Sequence, residues 1–189
     1  MLALFVAIII AYLLRSTLLR HKVQQACGSF DLANELGHGF CAVLMVPMVV
    51  SNLMMDSDVR FVSSLLCLAG TIFFLGRYLL VHVLRIVTLE KNDWWWDPAH
   101  AGMFGGMAIM YFVHDHTIWN AEATKILLWV VAAFYVSFTA YYVVEVIEDI
   151  RESNSQKRLF YIQADLSHVV IGLAMFLMTL FPATFMAMG

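Results

Sequence analysis

Three short stretches pair a carboxylate with a histidine three residues later: Glu35-Leu-Gly-His38, Asp97-Pro-Ala-His100 and Asp165-Leu-Ser-His168. In each, methionines follow the histidine by seven and ten residues, as Met45 and Met48, Met107 and Met110, and Met175 and Met178. Imidazole and thioether on neighbouring turns are the donors a soft metal takes. Thioethers favour Cu(I), and imidazole suits copper in either oxidation state. Zinc rarely chooses methionine, and hard cations prefer a cage of oxygens. The expected metal residues are therefore His38, His100, His168, Glu35, Asp97, Asp165, Met45, Met107 and Met175, and the expected cofactor is copper, as Cu(I), the alternative being none.

Each carboxylate has two chemical uses and one structural one. It would orient its histidine by accepting the second ring N–H, or ligate directly and make a harder site at that end. The structural alternative is that acids near helix N-termini are favoured by capping and by the helix dipole. Asp97 before Pro98 fits that alternative well, with proline at the first helical position. On an α-helix, positions three and seven apart fall near one face. With a rise of 1.5 Å per residue, the first methionine lies about 10 Å beyond its histidine and the second about 15 Å.

These residues need elements that bring them together, and composition says what kind. The 189-residue chain is 62% hydrophobic and 13% charged, with a mean hydropathy of +0.80. A soluble domain carries about 25% charged residues, so the expected solvent is lipid. A net charge of −3 gives no basic footprint, which excludes nucleic acid as an expected partner. The three cysteines, Cys27, Cys41 and Cys67, form no CxxC pair and read as small hydrophobes. Cys41, three residues after His38, has the alternative of joining that histidine's site.

A membrane-crossing helix needs about 20 apolar residues. Six stretches qualify, near 2–19, 32–54, 61–84, 97–113, 125–147 and 161–185. The first lacks a basic leader and a small-x-small cleavage site, so it reads as a retained span. The expected fold is an all-α integral membrane protein, one six-helix transmembrane domain over residues 1–189. The histidines are 62 and 68 residues apart, and each falls in an even-numbered span. This predicts three helical-hairpin repeats (about 1–58, 59–120 and 121–189) with pseudo-threefold symmetry along the membrane normal. The loops after spans one, three and five and their flanks hold Arg15, Arg20, Lys22, Arg77, Arg85, Lys91, Arg151, Lys157 and Arg158; the opposite side holds Arg60 and Lys125. Basic loops stay in the cytoplasm, so both termini are expected outside a cytoplasmic (inner or plasma) membrane, with Trp94, Trp95 and Trp96 as an interfacial belt.

The methionines sharpen the copper reading. Eleven of twelve lie in the even spans or at their outer ends, and spans three and five have none. If methionine merely filled gaps in a core, both helix sets would carry it. Met54, Met55 and Asp56, then His114, Asp115 and His116, then Met186 and Met188 add possible ligands at the outer ends. Arg77, His82, Arg85, Glu145, Glu148 and Asp149 read as interfacial residues, with a Glu145–Arg77 pair as an option. Gly37, Gly39, Gly102, Gly105, Gly106 and Gly172 read as close-packing positions.

The three-helix His/Met arrangement resembles that of Ctr-type copper transporters, in which three chains each supply a Met-bearing helix. The stretches around His100 and His168 also resemble those of small, uncharacterised His/Met-rich multispanning proteins of actinobacteria. The first resemblance implies copper handling through parallel helices; the second implies no particular activity.

Four functions compete. The first is a membrane copper-binding protein, a conduit or a factor that loads copper into an enzyme. The second is a metal-binding or structural subunit of a larger membrane oxidoreductase, such as a copper-dependent monooxygenase or terminal oxidase. The third is a structural bundle whose polar layer fixes helix register. The fourth, a haem protein, leaves the threefold recurrence without a reason. Catalysis by the chain alone is not expected, since it has no phosphate loop and no Ser-His-Asp order.

Overall fold

A computed structural model describes residues 2–27, 32–85, 96–113, 121–151 and 155–181. Met1, Lys91, Trp94, Trp95, His114, Asp115, His116, Met186 and Met188 lie outside the described residues. Within them every regular element is helical: α1 (Leu2–Ser16), α2 (Arg20–Cys27), α3 (Leu32–Val49), α4 (Ser51–Met55), α5 (Ser57–Tyr78), α6 (Trp96–Val113), α7 (Ala121–Asp149) and α8 (Ser155–Leu180). Four of the described helices are long and apolar enough to cross a membrane, over Leu32–Val49, Ser57–Val83, Glu122–Asp149 and Arg158–Leu180. The helix Leu2–Ser16 is apolar but shorter. α6 is not among the four, because its first turn is spent on Trp96, Asp97, Pro98 and His100 rather than on aliphatic residues.

Local chemistry sets the boundaries. Pro47 lies inside α3, and a proline removes one backbone donor and crowds the carbonyl four residues earlier. The helix stops two residues later, and Val50 turns extended before α4 begins. Asp56 then caps α5, its carboxylate accepting from the Asp58 and Val59 amides at 2.9 and 3.1 Å. α5 loosens into a π-helical turn over Leu79–Val83, and Arg85 beyond it has φ of 53°. The basic stretch after α1, expected as loop, forms α2, which lies against α8.

Packing follows hairpins. The most extensive contacts between elements join α1 to α3, α5 to α6 and α7 to α8. The even-numbered expected spans meet one another more sparsely, α3 with α6 and α6 with α8. Between helices in lipid the attraction is van der Waals contact rather than the hydrophobic effect, so small residues that admit a neighbour matter. Gly106 is such a place: a Cβ there would stand 2.5 Å from the Tyr135 hydroxyl, which donates to the Met103 carbonyl at 2.8 Å. Tyr111 likewise ties α6 to α3 by donating to the Leu44 carbonyl at 2.5 Å.

The outer face is apolar and the inner one is partly charged. Ile126, Trp129 and Ile72 are 65%, 68% and 62% exposed, while Asp97 and His100 are 0% exposed and Arg15 is 3%. In water that distribution would be costly on both counts. In a bilayer the apolar face meets hydrocarbon, and ionisable groups turn toward the bundle interior.

Candidate metal centre

α3, α6 and α8 each bring one histidine to a common point. His38, His100 and His168 are all buried, and a ligand nitrogen from each lies within 4.8 Å of the others. Among the described residues no other trio of His, Cys, Asp or Glu side chains meets at that distance.

Each ring is held in the same way. Nδ1 of His38 donates to the Asn34 carbonyl at 2.6 Å, that of His100 to the Trp96 carbonyl at 2.8 Å, and that of His168 to the Ala164 carbonyl at 3.1 Å. A carbonyl can only accept, so each Nδ1 carries the hydrogen and each Nε2 of the neutral ring keeps its lone pair. The partner is always the residue four positions earlier on the same helix, so the tautomer is a local consequence of a histidine folded back along its own helix. His38 Nε2 stands 2.5 Å from His168 Nε2, and His100 Nε2 stands 3.4 Å from His38 Nδ1. The facing Nε2 lone pairs of His38 and His168 repel unless a proton or a cation is shared between them, whereas His38 Nδ1 presents its N–H side toward His100 Nε2. With imidazole–metal bonds of about 2 Å, three donors on one ion stand roughly 3.4 Å apart. The His38–His168 pair would widen to meet that spacing.

The opposite helices supply a second layer. Tyr12 of α1 stacks on His38 (centroids 4.6 Å, planes at 5°), Phe74 of α5 on His100 (4.7 Å, 21°), and Tyr142 of α7 on His168 (3.9 Å, 7°). Each aromatic precedes its histidine by 26 positions. Gly37 makes room for one of these stacks, since a Cβ there would lie 2.7 Å from the Phe74 ring.

The carboxylates are placed differently from expectation. Arg15 clasps Glu35 with Nε at 2.7 Å and the terminal nitrogen at 2.6 Å. Arg77 donates from Nε to Asp97 at 2.8 Å and reaches the Asn34 side chain at 3.1 Å. The histidine N–H in these two hairpins goes to the backbone carbonyl four residues back, and the acid is engaged by an arginine. Arg77 therefore points inward to Asp97, where interfacial placement or a pair with Glu145 was expected. Asp165 comes nearer its histidine, 3.8 Å from His168 Nδ1, still beyond hydrogen-bond length. None of the three acids joins the histidine nitrogens within the 4.8 Å group.

Met45, Met107 and Met175 are fully buried at 0% exposure, and Met48, Met110 and Met178 nearly so, all in one apolar core with Tyr12, Phe74 and Tyr142. Thr179 donates to the Met110 sulfur at 3.3 Å. Cys41 and Cys67 are buried and unbridged.

Sequence reasoning missed Tyr12, Phe74, Tyr142, Arg15 and Arg77 as parts of the site. The signal was present. Aromatic and charged positions recur at fixed offsets: Tyr12 and Arg15, Phe74 and Arg77, Tyr142 and Glu145, each second residue twenty positions before the acid of its hairpin. Compared with family models, with curated proteins and with solved structures, the chain matches none.

Proposed function

We propose that this protein is a membrane copper handler that holds Cu(I) at the Nε2 atoms of His38, His100 and His168, acting as a conduit or as a factor that loads copper into a membrane enzyme. The observation that carries this reading is the convergence of three tautomer-locked imidazoles from three helices within 4.8 Å. The buried Nε2 atoms of His38 and His168 face each other lone pair to lone pair, an expensive arrangement unless a proton or a cation is shared there. The choice of copper rests on the chemistry around it: the same helices carry the buried thioethers of Met45, Met107 and Met175, and thioethers select Cu(I) over harder ions.

In the same reading the chain crosses the membrane six times, with α1 and α6 joining the four longer spans. The equal offsets of aromatic, charged residue, acid and histidine in the three hairpins support a threefold internal repeat about the membrane normal. The basic residues flanking the acid-bearing ends support a cytoplasmic placement of the histidine layer, with both termini outside the cytoplasmic membrane. Impermeant amine labelling of Lys22 and Lys125 from either side reads that orientation: Lys22 should react only from the cytoplasmic face.

Metal content by mass spectrometry after gentle purification tests the copper reading. The wild type should carry copper at a fixed stoichiometry, and a His38→Ala/His100→Ala/His168→Ala variant that folds should carry none. Equal copper in both would sink it. Co-purification of larger oxidoreductase subunits would move the role to that of an accessory subunit.

A further inference from the structure

We infer that the metal centre is built as two ligands and then a third: His38 and His168 form the pair that takes the ion, clamped by Tyr12 and Arg15 of α1, and His100 closes on it afterwards from the second hairpin. The inference rests on the copper reading above and adds the order in which the ligands act.

The three imidazoles are not equivalent. His38 and His168 turn their Nε2 atoms on each other at 2.5 Å, with ring centroids 4.1 Å apart. His100 lies further from both, its centroid 4.5 Å from that of His38 and 5.6 Å from that of His168. Its Nε2 stands 3.4 Å from His38 Nδ1, the nitrogen whose hydrogen goes to the Asn34 carbonyl. The lone pair of His100 thus rests against an N–H, whereas those of His38 and His168 meet. His100 joins an ion by turning from that contact. No proton has to move, since the His38 hydrogen keeps the Asn34 carbonyl as its acceptor.

α1 holds the pair from behind. Tyr12 lies flat on His38, with centroids 4.6 Å apart and planes at 5°, and its hydroxyl donates to the Ala164 carbonyl at 3.4 Å. That carbonyl also takes the Nδ1 hydrogen of His168 at 3.1 Å, and its oxygen has two lone pairs to serve both. One side chain therefore touches one histidine of the pair and the acceptor that sets the other. Arg15, a turn further along α1, does the same for the helices. It donates to Glu35 of α3, three residues before His38, at 2.7 and 2.6 Å, and to the Phe160 carbonyl of α8 at 2.8 Å. His100 takes its support from its own hairpin instead. Phe74 of α5 stacks on it at 4.7 Å, and the Trp96 carbonyl of α6 accepts its Nδ1 hydrogen at 2.8 Å.

A filled d shell imposes no geometry, so Cu(I) accepts two donors or three. With bonds of about 2 Å, two donors in line stand about 4 Å apart and three in a plane roughly 3.4 Å. Entry of the ion opens the pair to the wider spacing, and arrival of His100 draws it back to the narrower. A copper handler has to give its ion up, and the ligand that arrives last is the one an accepting donor replaces.

The full chain in nanodiscs is titrated with Cu(I) against a competing chelator under reducing conditions, and X-ray absorption counts the nitrogens on the bound ion. Wild type should show three. His100→Ala should keep one ion at weaker affinity, with two nitrogens and the edge shape of two-coordinate Cu(I). His38→Ala and His168→Ala should lose the ion at the same chelator concentration. His100→Gln fills the space without an imidazole and gives the same test where the alanine variant does not fold. Tyr12→Phe keeps the ring on His38 and removes the hydroxyl from the Ala164 carbonyl. In the His100→Ala background it should weaken binding about ten- to a hundredfold, and by less where His100 is present. Equal loss of copper in all three single-histidine variants overturns the order and leaves the copper reading intact. A His100→Ala protein whose affinity Tyr12→Phe leaves unchanged overturns the clamp. A wild type that acquires no copper overturns the copper reading itself, and the order of its ligands with it.

Discussion

At the scale of residues, the arginine–acid pairs decide more of the energetics than the histidines do. Asp97 is 0% exposed and its partner Arg77 is 12% exposed by side chain. Removing one member of a buried pair leaves an uncompensated charge, which costs about 3–5 kcal/mol, whereas replacing both by apolar residues is close to neutral. Arg77→Met should therefore destabilise the protein by about that amount, and Arg77→Met/Asp97→Leu should recover most of it. Chemical unfolding in mixed micelles measures both. A single variant as stable as wild type would show that the pair is not what holds α5 against the start of α6. The pair was not legible beforehand, because an arginine near the end of an apolar span reads as one reaching for the interface. Only its partner twenty residues on distinguishes the two. The histidines were more legible: a buried imidazole is rare enough that three at matching offsets stand out, while Tyr12, Phe74 and Tyr142 are lost among the many aromatics of apolar helices.

At the scale of elements, most helix positions followed from hydropathy and most interruptions from proline and capping. The expected second span ended near 54, yet α3 stops at Val49 and α4 is a separate turn, the consequence of Pro47. The expected third span began near 61, yet Asp56 starts α5 four residues earlier, because an N-cap adds a turn that hydropathy does not register. α2 was illegible for a different reason: it is polar, and it gains its place from contact with α8. Within the hairpins, Gly37 of α3 stands against both Phe74 of α5 and His100 of α6, beside the candidate site. A Cβ there meets the Phe74 ring at 2.7 Å and His100 Cδ2 at 3.4 Å. Phe74 is itself buried at 2% exposure and has little room to withdraw. Gly37→Ala should cost about 1–3 kcal/mol and should loosen copper retention by turning His100. Gly37→Ala/Phe74→Leu should regain stability without regaining the aromatic face on His100. Unfolding curves and competition with a Cu(I) chelator follow the two effects separately, and a Gly37→Ala protein with wild-type values in both would remove the steric argument.

At the scale of the whole molecule, the hairpins are well packed internally and join one another through fewer contacts, α3 with α6 and α6 with α8 among them. The three histidines sit at that junction, one from each hairpin. An ion bound there is a crosslink between units that lipid does not press together, since hydrocarbon solvates helix surfaces as well as other helices do. Binding to the folded state alone stabilises it by about 2.7 kcal/mol when free ligand stands at a hundredfold excess over Kd. Cu(I) should therefore raise the thermal unfolding midpoint of the wild type under reducing conditions. His168→Ala, which detaches the α7–α8 hairpin from the ion, should lose most of that rise. An equal rise in His168→Ala would mean that copper binds within one hairpin, through the thioethers of Met45 or Met107, and that the junction of three helices is held by packing alone.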